Sequence, residues 1–434
     1  MPPGPPPLRN TARVACAVLA LGSGFARGAE PAPAPGLTLA AAQALALARN
    51  DDYRVAEAQV GAALAQLRVA REFPNPTLGL STAKVSTDGV TEATPLGNGL
   101  LARSYDSIVS LSQLFTVGKR GLQRDAATAG VHAAQFQRDD ARRLLLLAVT
   151  QAYAAGLAAR QQAAALQDSA AKLRHEADIA AHRLQAGDLS ASDEAQLEIA
   201  ADQDELGADA QAAAARTSVV TLEILLGEPA PRGTTVLADT LDGWMAALDP
   251  AMEETDFGSR PDIAAAEAAA RQADVNVTLQ RRSRVPDVTA SVQYERNPPA
   301  QPDTVGVGVS LPLPVWDHFD GEIDGARSAR DAAQAQLEKV RIQATADVTA
   351  ARVAFHEAYQ RARRYQSSLV PKSAKVAQSV AYAFGKGGAS LVDLLEAERN
   401  DNLIRLGAAQ AEADAASAAV ALRAALGRLE PPTP

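Results

Sequence analysis

The 434-residue chain carries one cysteine, Cys16, so no disulfide can form within it and packing or assembly must hold it together. Aromatic residues make up 4%, too little bulk for a thick globular core, while abundant alanine favours long, closely packed helices. Charged residues at 21% and apolar residues at 47% exclude a disordered chain. Basic residues number 42 against 51 acidic ones, and that balance argues against nucleic acid as a partner. The chain lacks a GxxxxGK[ST] phosphate loop, an HExxH zinc motif and a GxSxG nucleophile turn, so no enzyme reading, catalytic residue or cofactor is supported. "GKGG" (Gly385–Gly388) does not fit the phosphate-loop pattern and reads as a tight turn. The five histidines (His132, His175, His182, His318, His356) are scattered. His175 and His182 lie seven apart on one helix, but without a third ligand they read as surface residues rather than a metal site.

No apolar run reaches the ~18 residues of a membrane-crossing helix. The N-terminus reads instead as an export signal. Arg9 and Arg13 precede the short apolar core "VACAVLALGSGF" (Val14–Phe25), and small residues follow at Ala26, Gly28 and Ala29. Residues 1–29 are the expected signal peptide and 30–37 a disordered linker. Cys16 lies near the start of the apolar core, whereas a lipid-bearing cysteine would follow it. Export without a transmembrane helix leaves two classes open, a soluble periplasmic protein and an outer-membrane strand barrel.

What the chain does have is a repeat. "YRVAEAQV" (Tyr53–Val60) aligns with "IAAAEAAA" (Ile263–Ala270) at an offset of 210, which also sets Pro76 on Pro286. Further on the offset becomes 200: Val109–Leu111 matches Val309–Leu311, Gly121 matches Gly321, Leu206–Ala208 matches Leu406–Ala408, and Gly227 matches Gly427. The first copy is 38–227, with a helix over about 38–72, a β-hairpin at 77–115 and a helical hairpin at 120–227. The second is 261–428, with a helix over 261–283, a β-hairpin at 287–312 and a helical hairpin at 321–428. Residues 228–260 join them and 429–434 form a tail.

In the second copy, Val288, Ala290, Val292 and Tyr294 alternate with Thr289, Ser291, Gln293 and Glu295, the period-two pattern of a strand wet on one face. Val305, Val307, Val309 and Leu311 alternate on the return run. The first copy places strands at about 77–86 and 105–115. Strands of about ten residues can cross a bilayer when tilted. Four strands cannot close a barrel, and lipid does not tolerate open sheet edges. Membrane-spanning strands therefore require several chains in one barrel, and three chains give twelve strands. The competing picture is a pair of soluble hairpins capping a helical protein.

Each hairpin leads into a stretch of about 65 residues, ~120–185 and ~321–385, with no proline except Pro371. At ~1.5 Å per residue such a helix spans roughly 100 Å. Turns at Gly187 and at Gly385, Gly387 and Gly388 then reverse the chain. Beyond the second turn Leu391, Leu394 and Leu395 share one helix face, and Asp393 and Glu396 fall opposite. Asp193 holds the place of Asp393 in the first copy. From spacing alone these acids fit a solvated helix face or the lining of a lumen.

The stretches "PNPTLGLS", "SLSQLFTVGKRGLQRDAA", "SLPLPVWDHFDGEIDGAR" and "YAFGKGGASLVDLLEAE", in this order and duplicated, resemble the outer-membrane factor family, the TolC-like channels of tripartite efflux pumps, over about residues 38–428. The resemblance implies a mixed, mainly α membrane protein. Its homotrimer would share a twelve-stranded outer-membrane β-barrel, with four strands from each chain, continued by a long α-helical barrel in the periplasm. Residues 228–260 would sit at the waist of that barrel. The implied function is a passive exit duct, working with a periplasmic adaptor protein and an inner-membrane RND-type transporter. The implied gate acids are Asp193, Asp393 and Glu396, a ring that favours cations and whose crowding raises some of their pKa values. "LPLPVWDHFDGEIDGAR" is most similar to the heavy-metal (cobalt–zinc–cadmium, CzcC-like) subfamily, although Trp316–Asp320 departs from the usual aromatic, Asp, Arg, Asn order. The residues themselves point to no metal handling. A type I protein-secretion channel and a soluble coiled-coil adaptor are the alternatives.

Overall fold

The computed structural model describes residues 36–85, 104–185, 190–241, 243–244, 260–296 and 302–428. The signal peptide, the linker up to residue 35, the tip glycine Gly187, the loop at 297–301, most of the joining segment past 244 and the tail from 429 lie outside the described residues. Everything below concerns the unit from Leu37 onward.

Two helices, α1 (Leu39–Arg49) and α2 (Asp51–Arg71), replace the single helix expected over 38–72. Asn50 is the cause. Its backbone is extended, its amide ends α1 on Ala46 O (2.8 Å), and its side chain caps α2 by accepting from Tyr53 N (3.0 Å). An asparagine side chain can satisfy a helix N-terminus that a continued helix would bury in its own ladder. Next come β1 (Thr77–Val85), β2 (Ser104–Phe115), α3 (Arg120–Gln185) and α4 (Ala191–Leu225). α3 has 66 residues and so runs ~100 Å. The later elements are α5 (Pro261–Arg282), β3 (Val288–Arg296), β4 (Thr304–Ser310) and α6 (Asp320–Arg364). A π-helical turn at Tyr365–Leu369, α7 (Val370–Gly385) and α8 (Leu391–Ala425) follow. The π turn corrects the unbroken helix expected over 321–385. Pro371 has no N–H to give and its ring presses on the preceding turn, and a widened turn relieves both conflicts.

The four strands form one antiparallel sheet in the order β1-β2-β3-β4. Within the helical region, Tyr153 is fully buried among Leu39, Val149, Val219 and Leu237, and its ring stacks on Trp244 at 5.5 Å. Its hydroxyl donates to Leu37 O (2.6 Å), and Leu37 bridges Leu237 in parallel. This contact stitches the start of the described chain to the joining segment, and burial pushes the phenol up to about 12.

Residues 200 to 210 apart do matching work. Asn50, capping α2, gives its Nδ2–H to Leu225 O at the end of α4 (3.0 Å). Arg260, preceding α5, gives Nη1–H to Ala425 O at the end of α8 (3.1 Å). Gly227 and Gly427 both adopt positive φ there, at 74° and 76°. At Gly227 a Cβ would fall 2.5 Å from Arg49 O, so no side chain fits.

Candidate functional site: a two-faced strand wall and a helical tip

The register decides which strand residues share a face. Leu78 pairs with Leu111, Leu111 with Val292, and Val292 with Val307; Leu80, Val109, Tyr294 and Val305 line up likewise. Side chains alternate across a strand, so these residues share one face, which is apolar over all four strands. The opposite face carries Gly79–Ser110–Gln293–Gly306 and Thr77–Ser112–Ser291–Gly308 across the same strands. The apolar face is uncovered: Val307 is 86% exposed. A sheet greasy outside and lined with small polar groups inside is what a membrane barrel wall requires.

The tip is built where α7 turns into α8. Gly388 N donates to Ala383 O (2.8 Å) and Gly387 N to Phe384 O (2.9 Å), a Schellman closure with Gly387 at φ 76°. Gly385 and Gly388 flank that turn at negative φ. Ser390 caps α8 by accepting from Asp393 N (3.2 Å), and Asp393 Oδ2 accepts from Ser390 N (3.0 Å) and Oγ (2.7 Å). Asp393 is thus the closing member of a capping box. The Ser390 hydroxyl and amide hold its carboxyl below the usual carboxylate range. Glu396 is exposed on the next turn.

Asp193 stands at the matching place on α4, where Ser190 accepts from its amide (3.2 Å). There the Ser190 hydroxyl lies 2.7 Å from Ser192 Oγ, so the two turns share their N-cap and differ in the acid's engagement. Leu391 and Leu394 are buried with Phe384, Leu173, Ala177 and Leu197, so the apolar stripe joins the two helical hairpins and leaves Asp393 and Glu396 outward.

Behind the tip, α8 carries polar side chains on its buried stripe. Asn402 Nδ2 donates to Ser169 Oγ (2.7 Å) and Asp204 Oδ2 (2.8 Å), tying α8 to α3 and α4. Asp401 accepts from Ser373 on α7 (2.6 Å) and pairs with Arg405 (2.5 Å). Glu398 lines the grooves on both sides of α8. Burial pushes its carboxyl up, with Asp401 and Asp168 adding to the effect against Lys172 and Arg405. The spacing 394, 398, 401, 405 continues the stripe of Leu394, a signal that marks these positions as inward.

The family model for "Outer membrane efflux protein" matches residues 43–228 and 257–428. This chain belongs to that family. Among the relatives of this outer membrane efflux protein is the cobalt-zinc-cadmium resistance protein CzcC of Cupriavidus metallidurans, 23% identical over 363 residues, which covers 84% of this chain and 83% of the relative. The nickel-cobalt-cadmium resistance protein NccC of Alcaligenes xylosoxydans xylosoxydans is 28% identical over 348 residues, covering 79% and 74%. The crystal structure of the CmeC outer membrane channel of Campylobacter jejuni superposes with a TM-score of 0.73 at 19% identity, over 90% of this chain and 85% of that one. The protein therefore has the fold of an outer-membrane channel, and its place is the outer membrane. Among the described residues no helix is long and apolar enough to cross a membrane.

Proposed function

We propose that three copies of this outer membrane efflux protein share one twelve-stranded barrel, continued by a helical barrel in the periplasm, and that the assembly is the exit duct of a tripartite pump. An RND-type inner-membrane transporter supplies the energy, and a periplasmic adaptor joins the two. The cargo is metal cations or small toxic compounds, with metals favoured by the resistance named for CzcC and NccC.

The observation that carries this reading is the two-faced sheet with two edges, β1 and β4. In hydrocarbon those edges leave backbone groups unsatisfied, and two further copies supply the partners. Detergent extraction followed by mass measurement tests the assembly: a particle of three chains, each 45.1 kDa before processing, is expected, and a monodisperse monomer refutes it. Deleting the gene in the native host tests the cargo. Hypersensitivity to zinc, cobalt or cadmium is expected, whereas hypersensitivity to lipophilic drugs alone reverses the assignment.

Asp193, Asp393 and Glu396 are proposed as the acids of the periplasmic mouth, supported by the exposure of Asp393 and Glu396 beside their turn and by the matching place of the half-buried Asp193 on α4. Asp393→Asn keeps an oxygen for Ser390 and removes the charge. Combined with Glu396→Gln it should weaken cation block in planar-bilayer recordings, and unchanged conductance and selectivity would sink the gate.

A further inference from the structure

Behind the tip a cavity of about 380 Å³ opens between α3, α7 and α8. That is roughly ten times a water's share of liquid volume and within the range of small-ligand sites. Its lining includes Leu173 on α3 and Ala374, Ala377 and Ala381 on α7. The alanines stand three and four apart, so they share one helix face and leave open the space that larger side chains would fill.

The charged groups around this cavity are unevenly matched. Lys172 pairs with Asp168 (2.6 Å) and Arg405 with Asp401 (2.5 Å), so each cation already has an acid. Glu398 and Glu176 are left over. Glu398 is 9% exposed and forms no hydrogen bond or ion pair among the described residues, and Glu176 Oε2 is buried without a partner. Lys172, Asp401 and Arg405, whose charges act on Glu398, all line this cavity, which sets its carboxylate here rather than in the groove on the other side of α8. A buried charge without a partner is destabilising, and a cation seated beside Glu398 offsets that cost. Among the described residues no three acidic, histidine or cysteine side chains are placed to hold a metal ion, so the cavity suits a cation that brings its own N–H groups.

We propose that this cavity binds a small organic cation of the amidinium or guanidinium class, whose N–H groups donate to Glu398 and whose carbon body lies against the alanines of α7. Planar donors of that kind match a carboxylate in pairs. The site is built within one chain and depends on neither the shared barrel nor the acids of the mouth.

Benzamidine is the probe, titrated calorimetrically into the detergent-solubilised full chain at pH 7.5. Saturable binding is expected. Benzamide, which has the shape without the charge, and benzyltrimethylammonium, which has the charge without N–H groups, should bind at least about tenfold more weakly. Glu398→Gln removes an unpaired buried charge, so the variant should fold, and it should lose affinity by about ten- to a hundredfold. Ala374→Leu narrows the cavity, leaves every charge in place, and should weaken binding as well.

Native affinity in either variant, or equal binding of benzamide, overturns the site. Equal binding of benzyltrimethylammonium overturns the pairing with Glu398. Zinc that binds the native chain and not Glu398→Gln, with benzamidine binding neither, makes the cavity a metal site and overturns the organic class. Absence of all binding to a particle of three chains overturns the site and leaves the duct reading standing.

Discussion

Val307 is the middle residue of β4 and pairs with Val292, the middle residue of β3. If the apolar face meets lipid, Val307 lies near the bilayer midplane, where an arginine costs about 2–4 kcal/mol. Gln293 is one residue from Val292 and faces the other way, beside Gly306. Gln293→Arg leaves the charge in water and should cost close to nothing. Val307→Arg should therefore lower the folding equilibrium in each chain by about 1.5 to 3 powers of ten, and Gln293→Arg should not. Refolding into phospholipid vesicles across a urea series, read by the heat-dependent shift on gels, measures both. Gln293→Arg should in addition shift the open channel toward anions in bilayer recordings. Equal losses from the two variants, or a larger loss from Gln293→Arg, would refute the assignment of faces and with it the membrane wall.

Three other outcomes follow from the helical region. Glu223 accepts hydrogen bonds from the amides of Arg232, Gly233, Thr234 and Thr235 and from the Thr235 hydroxyl, which hold its carboxyl at about 2 in spite of burial. Glu223→Gln strands several donors at about 3 kcal/mol, so amide exchange at 232–235 should quicken about a hundredfold. In the native chain the protection should persist above pH ~4.5 and fade as pH falls toward 2; flat exchange across both comparisons contradicts the clamp. Glu398 has the opposite sign. Its folded carboxyl binds a proton more tightly than the unfolded one, so ionisation costs stability as pH rises above the ordinary glutamate value. Glu398→Gln should raise the melting temperature more at pH 7.5 than at pH 5, and a pH-independent change argues against the assignment. Gly387→Ala meets no atom within 4 Å, so its cost should be the positive-φ strain alone, about 1 kcal/mol; thermal melting of the detergent-solubilised protein reads it, and a loss several times larger would mean the turn has unseen contacts.

The strand wall was legible because its alternation is a one-dimensional signal: every second residue of β3 and β4 names its face. Pairing β2 with β3 was not, since nothing local sets Leu111 beside Val292. The tip was half legible. Ser390 and Asp393 stand three apart, the spacing of a capping box, yet from spacing alone the acid reads equally as a charge on a helix face. The break at Asn50 depends on Leu225 O, 175 residues away, and no window of sequence contains it. Pro371 stands in the long helical stretch, yet the stretch reads as unbroken in sequence. Nor does any local pattern show that the widened turn seats Tyr365 against Gly407, where a Cβ would fall 2.7 Å from the Tyr365 hydroxyl.

The π turn also sets the two arms of the molecule out of phase. From Arg120 to Gln185 and from Asp320 to Gly385 the arms contain the same number of residues, 66. The second arm uses one of its residues to widen a turn rather than to climb. It is therefore shorter by about 1.5 Å, and everything on the tip side of Tyr365 is rotated by roughly 100° about the axis. Residues that pair perfectly by counting, 200 apart, are thus not interchangeable in space below that joint. A side chain transplanted from one tip to the other would keep its number and change its compass bearing.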